Sequence, residues 1–353
     1  MKKILYVGWI GFQNLGDELM WKVFEGLAET YLDPGRYRVI PSLPGVDLKD
    51  VRPYDTVVLG GGSLLVPGYV DVAHRAVQEQ KNLIIWGSGY DSQAPLPSGF
   101  AGKLLPGQLR ESEKMCQMLQ EIGSHASFFG VRGPLTEQIL RQSGVAGKLF
   151  VSGDSGMLLR LPSGDGEREK DTGKRPLIGI NWGTSYNRIY GKSEACVEDA
   201  LAETAKALIA EGYDLYLFTM WGPDREAIKR LYAKIGQPER TVLDLELHGH
   251  SELMKRISRC QATINFKLHA NVLSAAAGVP FVCLAYRFKC LDFAYSLELP
   301  ELVAMTDDPQ LSQQIAASTQ IALTKREVIR EKLAAAQREM TSRLELPFLQ
   351  EMF

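Results

Sequence analysis

Short apolar runs alternate with amphipathic stretches along this chain, and the pattern is clearest in its last third. The apolar run Ala262–Asn265 predicts a strand, and the segment that starts at Lys267 carries apolar residues at helical spacing. Gly278 and Pro280 follow that segment, as is typical of a helix end. The next apolar run, Phe281–Tyr286, predicts a buried parallel strand. The pattern therefore predicts a strand–helix–strand unit.

The same alternation predicts strands elsewhere, most of them followed by a glycine-containing or polar turn and a helix. These strands are expected at residues 4–10, 55–59, 83–86, 127–131, 150–151, 177–180 and 215–219. The polar stretch 161–176 lacks apolar periodicity and predicts a linker. Residues 324–345 predict one long amphipathic helix. We therefore expect two α/β domains, 1–165 and 174–325, and a C-terminal helical segment, 326–353, that can cross back onto the first domain.

Composition narrows the function classes. The chain has 353 residues and a formal net charge of −2, so no global basic field favours nucleic acid or an anionic membrane surface. Its five cysteines form no CxxC pair, and Cys283 lies in a predicted apolar strand, where a free buried thiol favours a reducing cytoplasmic setting. No apolar run has the length of a membrane span, so at most peripheral membrane association is expected. His248 and His250 are a weak metal pair, and we predict no metal site.

Cationic residues gather at the predicted carboxyl ends of two neighbouring strands. Lys267 and His269 stand at the start of the helix after the first strand, and Arg287 and Lys289 follow the second. In open α/β sheets ligands bind at this edge, and free N–H groups at a helix start favour anions. The pattern therefore predicts an anion site, and its alternative is an ordinary solvated helix face.

Polar and glycine-rich turns also follow the strands of the first half. Asn14 is a candidate N-cap, and Asp17 and Glu18 are either first-turn acids or groups that face a ligand. The run Gly60–Ser63 indicates close approach of the backbone to a ligand or to a packed neighbour. Arg132 lies in a strand-to-helix turn, where its guanidinium suits a carboxylate or phosphate.

Four motifs together resemble the polysaccharide pyruvyl transferase family, and they occur in the same order as in that family. They are GxxNxGDE (Gly11, Asn14, Gly16, Asp17 and Glu18), GGGS (Gly60, Gly61, Gly62 and Ser63), FxxxR (Phe128 and Arg132) and HANVLSAAAGVP…YRFK (His269 to Lys289). The resemblance implies two Rossmann-like domains facing across a cleft, a GT-B-like fold. It also implies transfer of the enolpyruvyl group of phosphoenolpyruvate to a sugar, which forms a pyruvate ketal and releases phosphate.

The resemblance also implies roles for individual residues. The family's phosphoenolpyruvate-binding Arg, His and Lys correspond to Arg132, His269 and Lys289. Many relatives have Arg where this chain has Lys267, and Lys lacks the bidentate fork of Arg. The first domain would then be the acceptor side and the second domain the phosphoenolpyruvate side.

Further residues are expected to bind substrate or to act as the base. Asp17 or Glu18 is the candidate base for the sugar hydroxyl. The other substrate-binding candidates are Asn14, Gly16, Gly61, Gly62, Ser63, Lys267, Asn181 and Trp221. We expect no cofactor beyond phosphoenolpyruvate as co-substrate, and a glycan acceptor of a cell-wall or exopolysaccharide precursor, free or lipid-linked. The sequence leaves the oligomeric state, the acceptor sugar and the ketal linkage open.

Two alternatives remain. A glycosyltransferase that uses a nucleotide sugar would need a base and ribose pocket in the second domain, for which Trp221 and Asp224 are candidates. A non-catalytic sugar-binding relative is the other alternative, and Lys267 in place of Arg is the feature that supports it.

Overall fold

A computed structural model describes residues 1–94, 96, 100–105, 107, 111–161 and 175–353. They form two compact units. The first comprises residues 1–13, 17–158 and 338–353, and the second comprises residues 14–16 and 159–337. Most of the linker predicted at 161–176 lies outside the described residues.

The first unit is a parallel sheet of six strands with helices against it. Its strands are β1 (Lys2–Val7), β2 (Tyr37–Pro41), β3 (Thr56–Leu59), β4 (Asn82–Ser88), β5 (Phe128–Val131) and β6 (Leu149–Val151). Its helices are α1 (Leu15–Tyr31), α2 (Tyr69–Gln78), α3 (Glu113–His125), α4 (Pro134–Gln142) and, near the end of the chain, α12 (Leu346–Leu349). A short 3₁₀ helix spans Ser155–Leu158.

The second unit is also a parallel sheet of six strands. Its strands are β7 (Leu177–Asn181), β8 (Asp214–Phe218), β9 (Thr241–Asp244), β10 (Ala262–Asn265), β11 (Phe281–Ala285) and β12 (Val303–Met305). Its helices are α5 (Glu194–Ala210), α6 (Asp224–Ile235), α7 (His250–Ile257), α8 (Leu268–Ala276), α9 (Phe288–Ser296) and α10 (Leu311–Thr324). Helix α11 (Arg326–Leu344) belongs to the second unit up to Gln337 and to the first from Arg338. Two 3₁₀ helices span Pro238–Arg240 and Pro300–Leu302.

The strand order places a switch point in each sheet. The first sheet runs β2-β1-β3-β4-β5-β6, so its order reverses between β1 and β3. The second runs β12-β11-β10-β7-β8-β9 and reverses between β7 and β10, which is the Rossmann order. The prediction of two Rossmann-like α/β domains is confirmed. Ligands of open α/β sheets bind at such switch points, beyond the carboxyl ends of the strands.

The period-two alternation of β1 divides the core of the first unit between the two faces of its sheet. Leu5 and Val7 pack into one apolar cluster, whereas Ile4 and Tyr6 pack into the other. The second cluster includes C-terminal residues such as Phe348, whose ring centroid lies 5.2 Å from that of Phe24.

Several predicted boundaries were wrong. Strand β1 ends at Val7 rather than at residue 10, because the backbone N–H of Gly8 turns away to the hydroxyl of Ser42 at 2.9 Å. The C-cap of α8 is Ala277, and Gly278 follows it in the left-handed region at φ 66°. The long tail helix begins at Arg326 rather than at residue 324, because α10 occupies the chain up to Thr324.

Candidate functional site

The carboxyl edge of the second sheet is held together at its switch point by one side chain. Asn181 ends β7 and is fully buried. Its Oδ1 accepts a hydrogen bond of 2.9 Å from the backbone N–H of Lys267, the N-cap residue of α8. Because β7 and β10 are neighbours, this bond fixes the start of α8 against the end of β7. Asn181, predicted as a substrate-binding residue, therefore has a structural contact here.

His269 lies in the first turn of α8, as the sequence predicted, and is half-buried. Its imidazole lies directly against the backbone of Gly16, since a Cβ added at Gly16 would overlap the ring. Residues 14–16 belong to the second unit, and the Oδ1 of Asn14 accepts a 3.1 Å hydrogen bond from the N–H of Gly16. Gly16 therefore fixes where the His269 ring can lie.

A second helix begins beside α8 at the same edge of the sheet. Arg287 precedes α9 in extended conformation, and Lys289 lies in its first turn. The ammonium of Lys289 lies 5.4 Å from the ring centroid of Tyr286. Since β10 and β11 are neighbouring parallel strands, the helices that follow them start side by side. Two helix N-termini and the side chains of His269, Arg287 and Lys289 therefore share this edge, an arrangement that suits an anion.

Lys267 makes its strongest contacts inside the protein. Its Nζ lies 3.0 Å from Oδ1 of Asp224, donates to the carbonyl of Thr184 at 2.5 Å, and lies 5.4 Å from the ring centroid of Trp221. Asp224 is fully buried, and it packs so closely on Gly183 that a Cβ there would overlap its carboxylate. The charge of Lys267 is thus directed to a buried carboxylate.

Burial shifts the pKa values of Asp224 and Lys267 in opposite directions. Burial raises the pKa of the Asp224 carboxyl, and attraction to Lys267 opposes that shift. Burial lowers the pKa of the Lys267 ammonium, attraction to Asp224 opposes the shift, and the nearby positive charge of Lys289 adds to it. Lys267 and Lys289 are therefore close enough to repel each other.

A tight loop after β7 is tied to the start of α5 by one buried carboxylate. Glu194 accepts hydrogen bonds from the N–H groups of Ser185 and Asn187, at 2.5 and 3.1 Å, and from the hydroxyl of Thr184, at 2.9 Å. In return, the N–H of Glu194 donates to Oδ1 of Asn187 at 2.9 Å. Only 7% of Glu194 is exposed, so these contacts satisfy a buried charge.

The same loop displays an aromatic side chain in an unusual backbone conformation. The N–H of Arg188 donates to the carbonyl of Ser185 at 3.1 Å and closes a turn. The central residues Tyr186 and Asn187 both lie in the left-handed region, at φ 56° and 58°. Tyr186 is 64% exposed, and its ring meets that of Trp221 edge-on at 6.1 Å.

The carboxyl edge of the first sheet is built around glycines. A Cβ at Gly60 would overlap the ring of Tyr6, one at Gly61 would overlap the hydroxyl of Ser155, and Gly62 has φ 100°. Tyr6 is fully buried. The sequence left open whether this glycine run meets a ligand or a packed neighbour, and in the structure it meets packed side chains.

Arg132 is fully buried at this first edge. Its guanidinium donates to the hydroxyl of Ser63 at 3.1 Å and to the carbonyl of Tyr90 at 2.9 Å. Gly89 lies against the guanidinium so closely that a Cβ there would overlap it. The contacts described for Arg132 thus hold the segments that follow β3 and β4.

The two acids of the α1 start have different surroundings. Glu18 accepts a hydrogen bond of 2.7 Å from the N–H of Gly11, so it holds the preceding loop. Asp17 lies near Gly62, where an added Cβ would be 3.5 Å from its Oδ1. Burial and then the charge of Asp17 raise the pKa of the Tyr69 phenol. Of the two candidate bases, Asp17 therefore lies beside the glycine run and a tyrosine.

The family described as polysaccharide pyruvyl transferase matches residues 14–287, well over half of the chain. The chain belongs to this family. The match runs from Asn14 to Arg287 and includes Arg132 and His269, whereas Lys289 lies two residues beyond it. Its members are transferases that act on polysaccharides. No curated protein matches the chain.

Several solved structures resemble this chain in fold. S. aureus MnaA, in a co-structure with UDP, aligns over 100% of this chain and 98% of its own at 12% identity and a TM-score of 0.59. A putative UDP-N-acetylglucosamine 2-epimerase from Listeria monocytogenes aligns over 94% and 90% at 13% identity and a TM-score of 0.55. Anabaena HepE, in complex with UDP-glucose, aligns over 100% and 98% at 14% identity and a TM-score of 0.53. The predicted GT-B-like fold class is confirmed.

His248 has acidic neighbours that the sequence interpretation missed. Asp244, Glu246 and His248 each offer a ligand atom within 4.8 Å of the others, whereas His250 does not belong to this group. The Oδ2 of Asp244 is already engaged by Nε2 of His248 and by the hydroxyl of Tyr216, both at 2.8 Å. The sequence interpretation considered only the pair of His248 and His250 and overlooked Asp244 and Glu246. Asp244, His248 and Tyr216 therefore form a hydrogen-bonded network.

Sequence reasoning also missed Glu194 and Tyr186, and it assigned Asp224 only to the nucleotide-sugar alternative. The sequence contained a signal for the turn at residues 185–188, because Asn187 is a residue type that tolerates the left-handed conformation. Among the residues that the structure describes, no helix is both long and apolar enough to cross a membrane.

Proposed function

We propose that this protein transfers a pyruvyl group from phosphoenolpyruvate to a sugar of a cell-wall or exopolysaccharide precursor, with release of phosphate. The observation that supports the proposal, beside family membership, is the pair of helix N-termini at the ends of β10 and β11. His269 and Lys289 lie in the first turns of those helices, and Arg287 lies at the start of the second.

The charges of phosphoenolpyruvate suit this edge. The molecule carries a carboxylate and a phosphate, and each can accept hydrogen bonds from helix N–H groups and cationic side chains. We assign the donor's anionic groups to His269, Arg287 and Lys289, because all three lie at the N-terminal ends of the two neighbouring helices α8 and α9. The role of Arg132 as a further phosphoenolpyruvate ligand stays a proposal from the family.

The reaction balances without an oxidant or reductant. A proton adds to carbon 3 of phosphoenolpyruvate, and carbon 2 becomes electrophilic. One acceptor hydroxyl adds to carbon 2 and loses its proton, and the bond from carbon 2 to the phosphate oxygen breaks. A second hydroxyl then adds to carbon 2, gives its proton to the departing phosphate and closes the ketal. We propose Asp17 as the base for the acceptor, because it lies beside Gly62 of the glycine run. We propose further that the reaction needs no cofactor and takes place in the cytoplasm.

The buried Lys267–Asp224 pair argues against the nucleotide-sugar alternative. A ribose-binding carboxylate must be open to the sugar hydroxyls, whereas Asp224 is fully buried and bound to Lys267. The relatives in complex with UDP or UDP-glucose share the fold at 12–14% identity, which does not transfer their ligands to this chain.

Phosphate release tests the proposal. Purified protein is incubated with phosphoenolpyruvate and a panel of methyl or lipid-linked glycosides, and phosphate is measured colorimetrically. In parallel, the thermal shift is recorded with phosphoenolpyruvate and with nucleotide sugars. We expect phosphoenolpyruvate alone to raise the melting temperature, less so at high salt, and phosphate release to depend on the glycoside and to survive EDTA. Stabilisation by a nucleotide sugar without any effect of phosphoenolpyruvate would overturn the proposal.

Two substitutions test His269. The variant His269→Ala should lose about tenfold to hundredfold in turnover or donor affinity, because a charge-assisted hydrogen bond of about 1.5–3 kcal/mol is removed. Gly16→Ala should have a similar effect, because its methyl group displaces the imidazole. The control is Gly249→Ala, where an added Cβ meets no atom within 4 Å. Wild-type turnover in a folded His269→Ala protein would refute the assignment.

A further inference from the structure

The turn at residues 185–188 places tyrosine where the backbone favours other residues. Turns with two consecutive left-handed central residues normally contain Gly, Asn or Asp, because a Cβ is strained there. Asn187 fits this rule and Tyr186 does not. Such strain persists where the surrounding structure holds it in place.

Glu194 holds the strained turn in place. Its carboxylate binds the turn through Thr184, Ser185 and Asn187, and Asn187 returns a hydrogen bond from its own Oδ1. The tyrosine ring gains little burial in exchange, since Tyr186 remains 64% exposed. Burial therefore does not explain why a tyrosine stands at this position.

The surroundings of the ring are rigid and polar. Trp221 meets Tyr186 edge-on, and the ammonium of Lys267 lies over the indole. Lys267 is fixed in turn by Asp224. Asn187 and Arg188, both exposed, add an amide and a guanidinium to the same turn. An aromatic face beside hydrogen-bonding groups suits a sugar ring, which has an apolar C–H face and a rim of hydroxyls.

We propose that Tyr186 and Trp221 form a stacking subsite for a sugar ring of the acceptor glycan, and that this ring is a different one from the ring that receives pyruvate. This subsite rests on the proposed function, because the glycan is its acceptor. The acceptor is therefore at least a disaccharide, and Tyr186 determines the affinity for its second ring.

Acceptor kinetics test the subsite. Asn is tolerated in left-handed conformation, so Tyr186→Asn should keep or raise the melting temperature while it removes the ring. We expect the KM for disaccharide methyl glycosides to rise about tenfold, and the KM for phosphoenolpyruvate and for monosaccharide glycosides to stay unchanged. Tyr186→Phe, which keeps the ring, should behave like wild type, as should Val328→Ala at another exposed position.

A binding measurement separates failure of the subsite from failure of the proposed function. If wild-type protein releases no phosphate from phosphoenolpyruvate, saturation-transfer NMR with the same methyl glycosides decides the subsite alone. Transfer to a disaccharide that Tyr186→Asn abolishes supports it. Equal transfer to both proteins, no transfer to wild type, or an unchanged disaccharide KM in Tyr186→Asn would overturn it.

Discussion

The carboxyl edges of the two sheets are stabilised by different means. At the first edge, glycines let large side chains lie against the backbone. The ring of Tyr6 packs on Gly60, and the guanidinium of Arg132 packs on Gly89. At the second edge, charged groups connect the loops: Asp224 binds Lys267, and Glu194 binds the turn that displays Tyr186. Both edges belong to parallel six-stranded sheets.

The difference shows which kind of change each edge tolerates. The stability of a packed edge is sensitive to side-chain volume, because an added methyl group forces neighbouring atoms apart. The stability of an ion-paired edge is sensitive to the loss of a charge, because removal of one partner leaves the charge of the other partner buried and uncompensated. The second edge is also where His269 and Lys289 lie, so its charges act on the proposed donor site.

The largest effect is expected for the buried ion pair. Asp224→Asn or Lys267→Met alone should lower the free energy of unfolding by about 3–5 kcal/mol, because each leaves an unpaired buried charge. The double variant should recover most of that loss, which chemical denaturation of all four proteins would measure.

The exposed pair of Lys229 and Glu226, at 2.8 Å, is the control for that cycle. Lys229→Met should change the denaturation midpoint little, since solvent already screens the pair. Single Asp224 and Lys267 variants as stable as Lys229→Met would show that the second edge does not depend on its charges.

A smaller effect is expected for volume at the first edge. Gly89→Ala should destabilise the protein by about 1–3 kcal/mol, because the methyl group overlaps the guanidinium of Arg132. Gly26→Ala, exposed in the middle of α1 with open space around it, should instead stabilise by about 0.5–1 kcal/mol. Thermal melts measure both, and a gain at Gly89 would contradict the steric account.

The smallest effect is expected for Asp244, at the outer end of the second edge. Burial opposes its ionisation, but hydrogen bonds from Tyr216 and His248 outweigh burial and lower the pKa of its carboxyl. A lowered folded-state pKa contributes stability above the unfolded pKa, and that stability is lost as pH falls through the folded value. Asp244→Asn should therefore melt below wild type at pH 7, and the gap between their melting temperatures should narrow as the pH falls below the ordinary pKa of an Asp carboxyl. A gap that is independent of pH would contradict this.

Sequence predicted the central elements better than the edges. Strands β10 and β11 were predictable because both are continuous apolar runs. The predicted bounds of β10 were correct, and β11 ends one residue before its predicted end at Tyr286. Strands β2, β9 and β12 were missed, since they are short edge strands with partly exposed residues and no strong pattern.

The sequence also predicted some parts of the candidate site better than others. The position of His269 was predictable, because it follows an apolar strand directly. The pairing of Lys267 with Asp224 was not, because it depends on which strands are neighbours in the second sheet, and the sequence does not show that order.

Helix α11, which belongs to both units, has a consequence for the order in which the protein folds. Once Gln337 has been synthesised, the chain contains every residue of the second unit. The first unit still lacks residues 338–353, which include Leu344, whose carbonyl accepts a 2.8 Å hydrogen bond from the indole N–H of Trp86, and Phe348, which packs on Phe24. On the ribosome, the strands of the first sheet are therefore synthesised before those of the second, but the aromatic cluster of the first unit gains its last side chains only after the second unit has been synthesised.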